Sequence, residues 1–351
     1  MYKNPDPSIY GMPWRAESFN GMPWRKLGKS GLSASVVGLG TWKFGFPETG
    51  DGARVNEEAA DAIFNRAHEL GVTFWDTANR YNASSGNAER VIGRWFARNP
   101  RLRRDVVLAT KLCGLMDGRT PNHCGLSRQN IIDAVHASLN RLETDHIDLL
   151  YFHQPDPTTD PEESLLAVED LIREGCVRYF GVSNHAASHL ARLDTICRTS
   201  ASLRTRVCAV QNGFNLIDGE VPEYPALVGT LPYCAEQGIS YIAWSPLAEG
   251  LLTGRYNDLS KIGKGDRLFD QNEPRYTEPA IHEKLVAMGA VADELGVSMT
   301  RLTLAYMLTL PAMTHVIPAA SSVRQLEDNA AAATLILSDE IRARIAAIFG
   351  I

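Results

Sequence analysis

Four side chains of this chain could between them manage a proton: the carboxylate of Asp76, the phenol of Tyr81, the ammonium of Lys111 and the imidazole of His153. A phenol ordinarily gives up its proton near pH 10. A nearby ammonium would stabilise the phenolate and lower that value, and a carboxylate beside the ammonium would keep it charged and oriented. The imidazole could donate a hydrogen bond to a carbonyl oxygen. Together the four would protonate an oxygen that gathers negative charge as hydride reaches its carbon. Singly, each has an ordinary explanation. Asp76 could cap a helix, Tyr81 could lie on the surface, Lys111 could be a solvated strand-end lysine, and His153 could be a satisfied turn histidine.

The chemistry therefore depends on placement. Asp76 ends the apolar run Phe74-Trp75-Asp76, with Tyr81 five residues further on in a polar turn. Lys111 ends Val106-Val107-Leu108-Ala109-Thr110-Lys111, and His153 ends Ile147-Asp148-Leu149-Leu150-Tyr151-Phe152-His153. A comparable run, Ser240-Tyr241-Ile242-Ala243-Trp244, ends in an indole. Further strands are predicted at 36–40, 177–182, 207–211 and 314–317. Between them lie segments of helical spacing, such as Ala59, Ala60, Ile63, Phe64, Ala67 and Leu70 before a capping Gly71. Other helices are expected near 87–97, 127–142, 162–173, 186–197, 226–237, 280–295, 300–309 and 323–333, with a last one from Asp339.

Uninterrupted apolar strands point to a parallel sheet covered on both faces. Eight βα units in sequence predict an α/β fold, a closed (β/α)8 TIM barrel that gathers its strand ends into one ring. The alternative is a doubly wound open sheet, which would carry a G-x-G-x-x-G turn; Gly38-Leu39-Gly40 has Lys43 in the third glycine's place. Two long connections, 113–125 and 248–279, are expected at the C-terminal face. Residues 1–24 read as an N-terminal arm. In it Gly11-Met12-Pro13-Trp14-Arg15 is echoed by Gly21-Met22-Pro23-Trp24-Arg25, too briefly for a repeat architecture. Residues 25–351 read as one barrel domain, opened by a β-hairpin around Lys29-Ser30-Gly31.

With 44% hydrophobic and 22% charged residues, a soluble, well-cored protein is expected. The net charge of −6 argues against a general nucleic-acid binder. Neither a signal-peptide core at Met1-Tyr2-Lys3-Asn4-Pro5-Asp6-Pro7 nor an apolar run of the roughly 20 residues needed to span a bilayer is present, so no membrane insertion is expected. Six scattered cysteines without a C-x-x-C pair suggest free thiols in a reducing cytoplasm and no metal site.

Several motifs together resemble the aldo-keto reductase superfamily, in order and from about Arg25 to the C-terminal helix. They are Gly38-Leu39-Gly40-Thr41-Trp42, Asp76-Thr77-Ala78-x-x-Tyr81, Ala109-Thr110-Lys111, Asp148 to His153, Gly181-Val182-Ser183-Asn184, Trp244-Ser245-Pro246-Leu247 and Ile317-Pro318-Ala319-Ala320-Ser321-Ser322. Gly125-Leu126-Ser127-Arg128, Pro155-Asp156-Pro157 and Trp244 to Ala248 are similar to the potassium-channel β-subunit branch in particular. The resemblance implies an enzyme using NADPH/NADP+, with Tyr81 as general acid, Lys111 and Asp76 in support, and His153 orienting the carbonyl. It implies that Ser183, Asn184 and Gln211 bind the nicotinamide carboxamide, that Trp244 lies beside the ring, and that Thr41, Trp42, Asp76, Ser245, Pro246, Leu247, Ala248 and Ala319 complete the cofactor contacts. Core packing is the alternative for Trp244.

The motif Ser321-x-x-x-Gln325-x-x-Asp328-Asn329 matches the family's adenosine site, where Ser321 and the following helix offer donors to an anion and Asp328 and Asn329 suit the adenine amine. Arg255, Arg267 and Arg324 are candidates for a 2′-phosphate. Asp328 replaces a usual Glu, Ser322 stands where many members have a basic residue, and Phe214 replaces a common tyrosine.

The expected function is an NADPH-dependent carbonyl reductase acting on a small-molecule aldehyde or ketone. A pocket of Trp42, Phe44, Phe46, Trp75 and Tyr81 would suit sugar-derived aldehydes or bulky multi-ring ketones. The alternatives are an NADP(H)-sensing regulatory subunit, or an NADP+-linked dehydrogenase of sugars or secondary alcohols. Those channel subunits carry a non-histidine where this chain has His153, which favours the enzyme. A homo-oligomer could form through the tryptophan-bearing arm.

Overall fold

The computed structural model describes residues 16–116, 120–220 and 228–351. Strands β1 (Ser18–Phe19), β2 (Met22–Lys26) and β3 (Ser33–Ser35) form a small antiparallel sheet, with Trp24 opposite Ser35 and Lys26 opposite Ser33. The second pentapeptide copy thus lies in the β1–β2 turn and in β2. The first copy lies outside the described residues.

Alternation follows. Strand β4 (Leu39–Gly40) leads to α1 (Glu57–Glu69), β5 (Phe74–Asp76), the short turn α2 (Tyr81–Ser84), α3 (Asn87–Arg98) and β6 (Val107–Leu112). Next come α4 (Arg128–Leu142), β7 (Ile147–Phe152), α5 (Pro161–Glu174), β8 (Val177–Ser183) and α6 (Ala187–Thr199). Strand β9 (Val207–Asn215) turns back through β10 (Gly219–Glu220) before α7 (Thr230–Gln237) and β11 (Ser240–Trp244). The chain ends with α8 (Arg267–Asp270), α9 (Pro279–Glu294), α10 (Met299–Met307), β12 (Met313–Val316), α11 (Val323–Ala331) and α12 (Asp339–Phe349).

Strands β4, β5, β6, β7, β8, β9, β11 and β12 are parallel neighbours in that order. Bridges from Val37 to Val316 and from Gly40 to Ala319 join the two outer strands, with Gly38 N donating to Val316 O at 2.8 Å and Val316 N to Val36 O at 3.0 Å. The sheet therefore closes into a (β/α)8 barrel, and no edge is left between β4 and β12.

Two apolar layers result from strand alternation. Inward-facing Phe74, Val107, Ala109, Leu149, Tyr151, Ala209, Ile242 and Ile317 form the inner core. Leu27 and Ala34, at the ends of the β2–β3 hairpin, join it and close the N-terminal mouth. Gly28 makes that approach possible: its φ is +57°, and a Cβ there would lie 2.5 Å from Cys208 O. Higher up, Gly181 leaves room for the Tyr151 ring, which a Cβ would meet at 2.8 Å. The outer layer lies between barrel and helices.

The same alternation corrects one expectation. Because Asp76 points inward, Trp75 points outward. It stacks on Phe64 with ring centroids 4.5 Å apart and donates its indole N–H to Val72 O at 2.9 Å. Phe44 is likewise buried against Phe64. Neither ring lines a substrate pocket. Among the described residues, no helix is long and apolar enough to cross a membrane.

Candidate active site

The four side chains meet at the C-terminal mouth of the barrel. Lys111 and Asp76 face inward from neighbouring strands, where Asp76 pairs with Ala109, and they are 1% and 2% exposed. So complete a burial would be strongly unfavourable for either charge alone. Lys111 Nζ lies 2.6 Å from Asp76 Oδ2, and it also donates to Tyr81 OH at 2.9 Å and to Thr77 O at 2.8 Å. All three ammonium protons are thereby used. The second carboxylate oxygen of Asp76 accepts from Gln211 Nε2 at 2.7 Å.

Tyr81 is brought over the mouth by an unusual turn. Asn82, Ala83 and Ser84 all have left-handed backbone, with φ of 56°, 56° and 58°. Such runs are disfavoured for residues with a Cβ. The Asn82 amide holds the turn by donating to Phe44 O. His153 completes the group, its ring edge-on to Tyr81 with centroids 5.9 Å apart. Its Nδ1 is buried without a hydrogen-bond partner.

Burial sets the electrostatics. It raises the Tyr81 pKa above the ordinary phenol value, with Lys111 pulling down and Asp76 pushing up. This corrects the expectation of a lowered value: desolvation of the phenolate outweighs the ammonium's attraction. Burial alone would lower Lys111, but Asp76 and Tyr81 together raise it, so the ammonium persists. Burial also raises the Asp76 carboxyl, against the pull of Lys111 and Gln211. His153 is pushed down to about 3 by burial, Lys111 and Arg80, and is neutral at physiological pH.

The residues expected to hold a cofactor border this group, and many bind one another. Ser183 Oγ donates to Gln211 O at 2.7 Å, Asn184 Nδ2 to His153 O at 2.9 Å, and Trp244 Nε1 to Asn184 Oδ1 at 3.1 Å. Thr41 is buried and fixes the Asp76 carbonyl through its N–H at 3.0 Å and its hydroxyl at 2.9 Å. Trp42 stands at the rim, 47% exposed, under the Lys43 ammonium at 4.0 Å. After Trp244 the loop turns sharply, with left-handed Ser245, Ala248 and Glu249 around Pro246 and Leu247.

At the far end of the rim, Asn329 Nδ2 donates to Ala319 O at 3.3 Å, and Ser321 N–H and hydroxyl both donate to Gln325 Oε1. Asp328 accepts the Ser298 hydroxyl at 2.7 Å and lies 3.5 Å from Arg301. Arg255 is gripped by Asp266, and Arg267 reaches Glu249 at 3.1 Å. Arg324, at the start of α11, has no ion-pair partner among the described residues. Phe214 is buried edge-on to Tyr241, with centroids 6.3 Å apart.

A nicotinamide dinucleotide fits this rim by the chemistry of its donors. A partly exposed indole and an amide cluster adjoin the tetrad, while the Ser321 hydroxyl and the Arg324 cation lie at the N-terminus of α11. A cavity of about 450 Å³ lies between Lys29, Arg178, Tyr179, Arg206 and Tyr233. It lies at the N-terminal ends of β8 and β9, on the opposite face from the tetrad.

Sequence reading missed Thr77, whose carbonyl anchors Lys111, and the grip of Gln211 on Asp76. The first leaves no side-chain signal. The second was available from alternation, since Ala209 and Gln211 must share the inward face of β9.

The chain is similar to known proteins along nearly its whole length. It is 31% identical over 322 residues to a probable voltage-gated potassium channel subunit beta of Arabidopsis thaliana, covering 88% of this chain and 90% of that protein. Identity is 33% to the uncharacterized oxidoreductase YrpG of Bacillus subtilis, over 92% of this chain and 94% of that one. Versiconal hemiacetal acetate reductase of Aspergillus parasiticus is 32% identical over 82% of this chain and 85% of its own. Residues 36–349 match the family described as aldo/keto reductase, so the barrel with its tetrad at the mouth belongs to the aldo/keto reductase family.

Proposed function

We propose that this chain is an NADPH-dependent carbonyl reductase with Tyr81 as proton donor. The observation that carries the reading is the ammonium of Lys111 between Asp76 at 2.6 Å and the Tyr81 hydroxyl at 2.9 Å. An ammonium can only donate, so the Tyr81 oxygen accepts from it. The phenol's own proton is left to point elsewhere, toward the mouth. Burial keeps that proton in place until an oxygen of rising basicity takes it. The phenolate then formed sits against a charge already held in position by Asp76 and Gln211. His153, being neutral, has one N–H to donate to the same carbonyl oxygen.

A reduced nicotinamide supplies the hydride when bound. Trp244, Ser183, Asn184 and Gln211 would flank it, with Ser321, Gln325, Asn329 and Arg324 toward the adenosine end. Asp328, occupied by Ser298, would reach an adenine amine only after changing partner. Initial rates at the NADPH absorbance, over a panel of aldehydes and ketones, test the function. Turnover of some carbonyl is expected. The reverse pair, NADP+ with alcohols, fixes direction.

A second reading is favoured by the similarity to proteins named as potassium channel β subunits, at 31% and 30% identity. In that reading the site senses NADP(H) for a partner. Tight NADPH binding with no turnover of any carbonyl would support it over the first.

A further inference from the structure

The site's electrostatics go further than the tetrad. We propose that Arg80 reads an oxyanion, a carboxylate in its simplest form, on the substrate, so that the preferred carbonyl compounds are negatively charged. The inference rests on the reductase reading above and names the class of substrate that site would take.

Arg80 immediately precedes Tyr81 and forms the N-terminal boundary of α2. Its side chain packs against Gly114, where a Cβ would come within 2.8 Å of Nη1 and 2.9 Å of Cζ. The side chain therefore lies beside the loop that follows β6 at the C-terminal face, where it is exposed. Gly114 also lines a depression of about 320 Å³, together with Leu115, Gln154, Pro155 and the carboxylate-bearing Asp156; Gln154 and Pro155 directly follow His153. A substrate whose carbonyl meets Tyr81 and His153 could lay its body there and present an anionic end to Arg80. The charge of Arg80 reaches the tetrad: it is one of the causes that depress His153.

The cation is uncommitted. Among the described residues the Arg80 guanidinium makes neither an ion pair nor a hydrogen bond, whereas Arg255 is paired with Asp266, Arg267 with Glu249 and Arg275 with Asp218. Asp156, which lines the depression, and Asp51 are each hydrogen-bonded to groups other than Arg80. Asp156 accepts from Leu126 N, Thr158 and Thr159, and Asp51 from Phe46 N, Ala53 N and Asn87. A fork of donors with no acceptor, beside the proton donor, suits a planar oxyanion.

The test compares the three carboxybenzaldehyde isomers with their methyl esters, in NADPH-linked initial rates on the full chain. At least one acid is expected to exceed its ester in kcat/KM by about tenfold, the worth of one charge-assisted hydrogen bond. The preference should shrink with added salt. In Arg80→Met the ratio should fall toward one, with the loss in KM, and a circular dichroism melt should match the parent. Esters reduced as well as acids, or a preference that survives Arg80→Met, would overturn the inference while leaving the reductase reading intact. Reduction of none of the six aldehydes or of any wider carbonyl panel would count against that reading itself.

Discussion

The two ends of the barrel are built from the same strands and do opposite things. At the N-terminal end, Leu27 and Ala34 fill the bore with fully buried apolar groups. A titratable group there, His315, is neutral: it sits near Ala34 O at 3.3 Å and Thr314 Oγ1 at 2.7 Å, and burial pushes it down to about 4. At the C-terminal end the next inward layer is ionic, with Asp76 and Lys111 buried among the core side chains. Alternation supplies the inward direction at both ends; residue type decides whether the layer stabilises or reacts. The apolar end thus carries stability, and the ionic end holds charges that are unfavourable unless every partner is present.

Breaking the ionic end should have the largest effect. Lys111→Met leaves Asp76 buried without its cation, an expected loss of about 3–5 kcal/mol in chemical denaturation together with nearly all turnover. Leu27→Ala at the other end is expected to cost about 2–5 kcal/mol while leaving kcat of the folded enzyme close to the parent's. If Leu27→Ala abolished kcat at full folding, the division of labour would be wrong. A smaller effect is expected from acid. His315 and His185 are both held near 4 in the folded chain, chiefly by burial. The unfolded chain binds these protons from about pH 6.5 downward. Stability should therefore fall as pH drops from about 6.5 to about 4, then lose no more from these groups. His315→Gln should flatten that slope, and an unchanged slope would remove His315 from the account.

Much of this was legible in the sequence, and unevenly. Strand β7 occupies the residues that its apolar run marks, and Ser127 caps α4 by accepting from Asn130 N at 3.3 Å. These are local signals, and local physics decides them. The tetrad's convergence was legible only through the barrel, because four residues far apart in the chain share a rim when the sheet closes. Trp75 was misplaced because an aromatic next to a functional residue reads as pocket lining until alternation is applied. The direction of the Tyr81 shift was missed because a sequence lists the neighbouring ammonium but not the depth of burial. The partners of Arg255 and Asp328 were hidden for a similar reason: a charge's occupant is fixed by tertiary contact.

The tetrad's meaning turns on one hydroxyl. Tyr81→Phe removes it and keeps the ring that packs against His153. With NADPH affinity measured by fluorescence and hydride transfer followed in single turnover, the expected result is unchanged cofactor binding and a rate lower by about 10²–10⁴-fold. A variant that transfers hydride at the parent rate would show that the proton comes from elsewhere, and that the buried lysine serves only the fold.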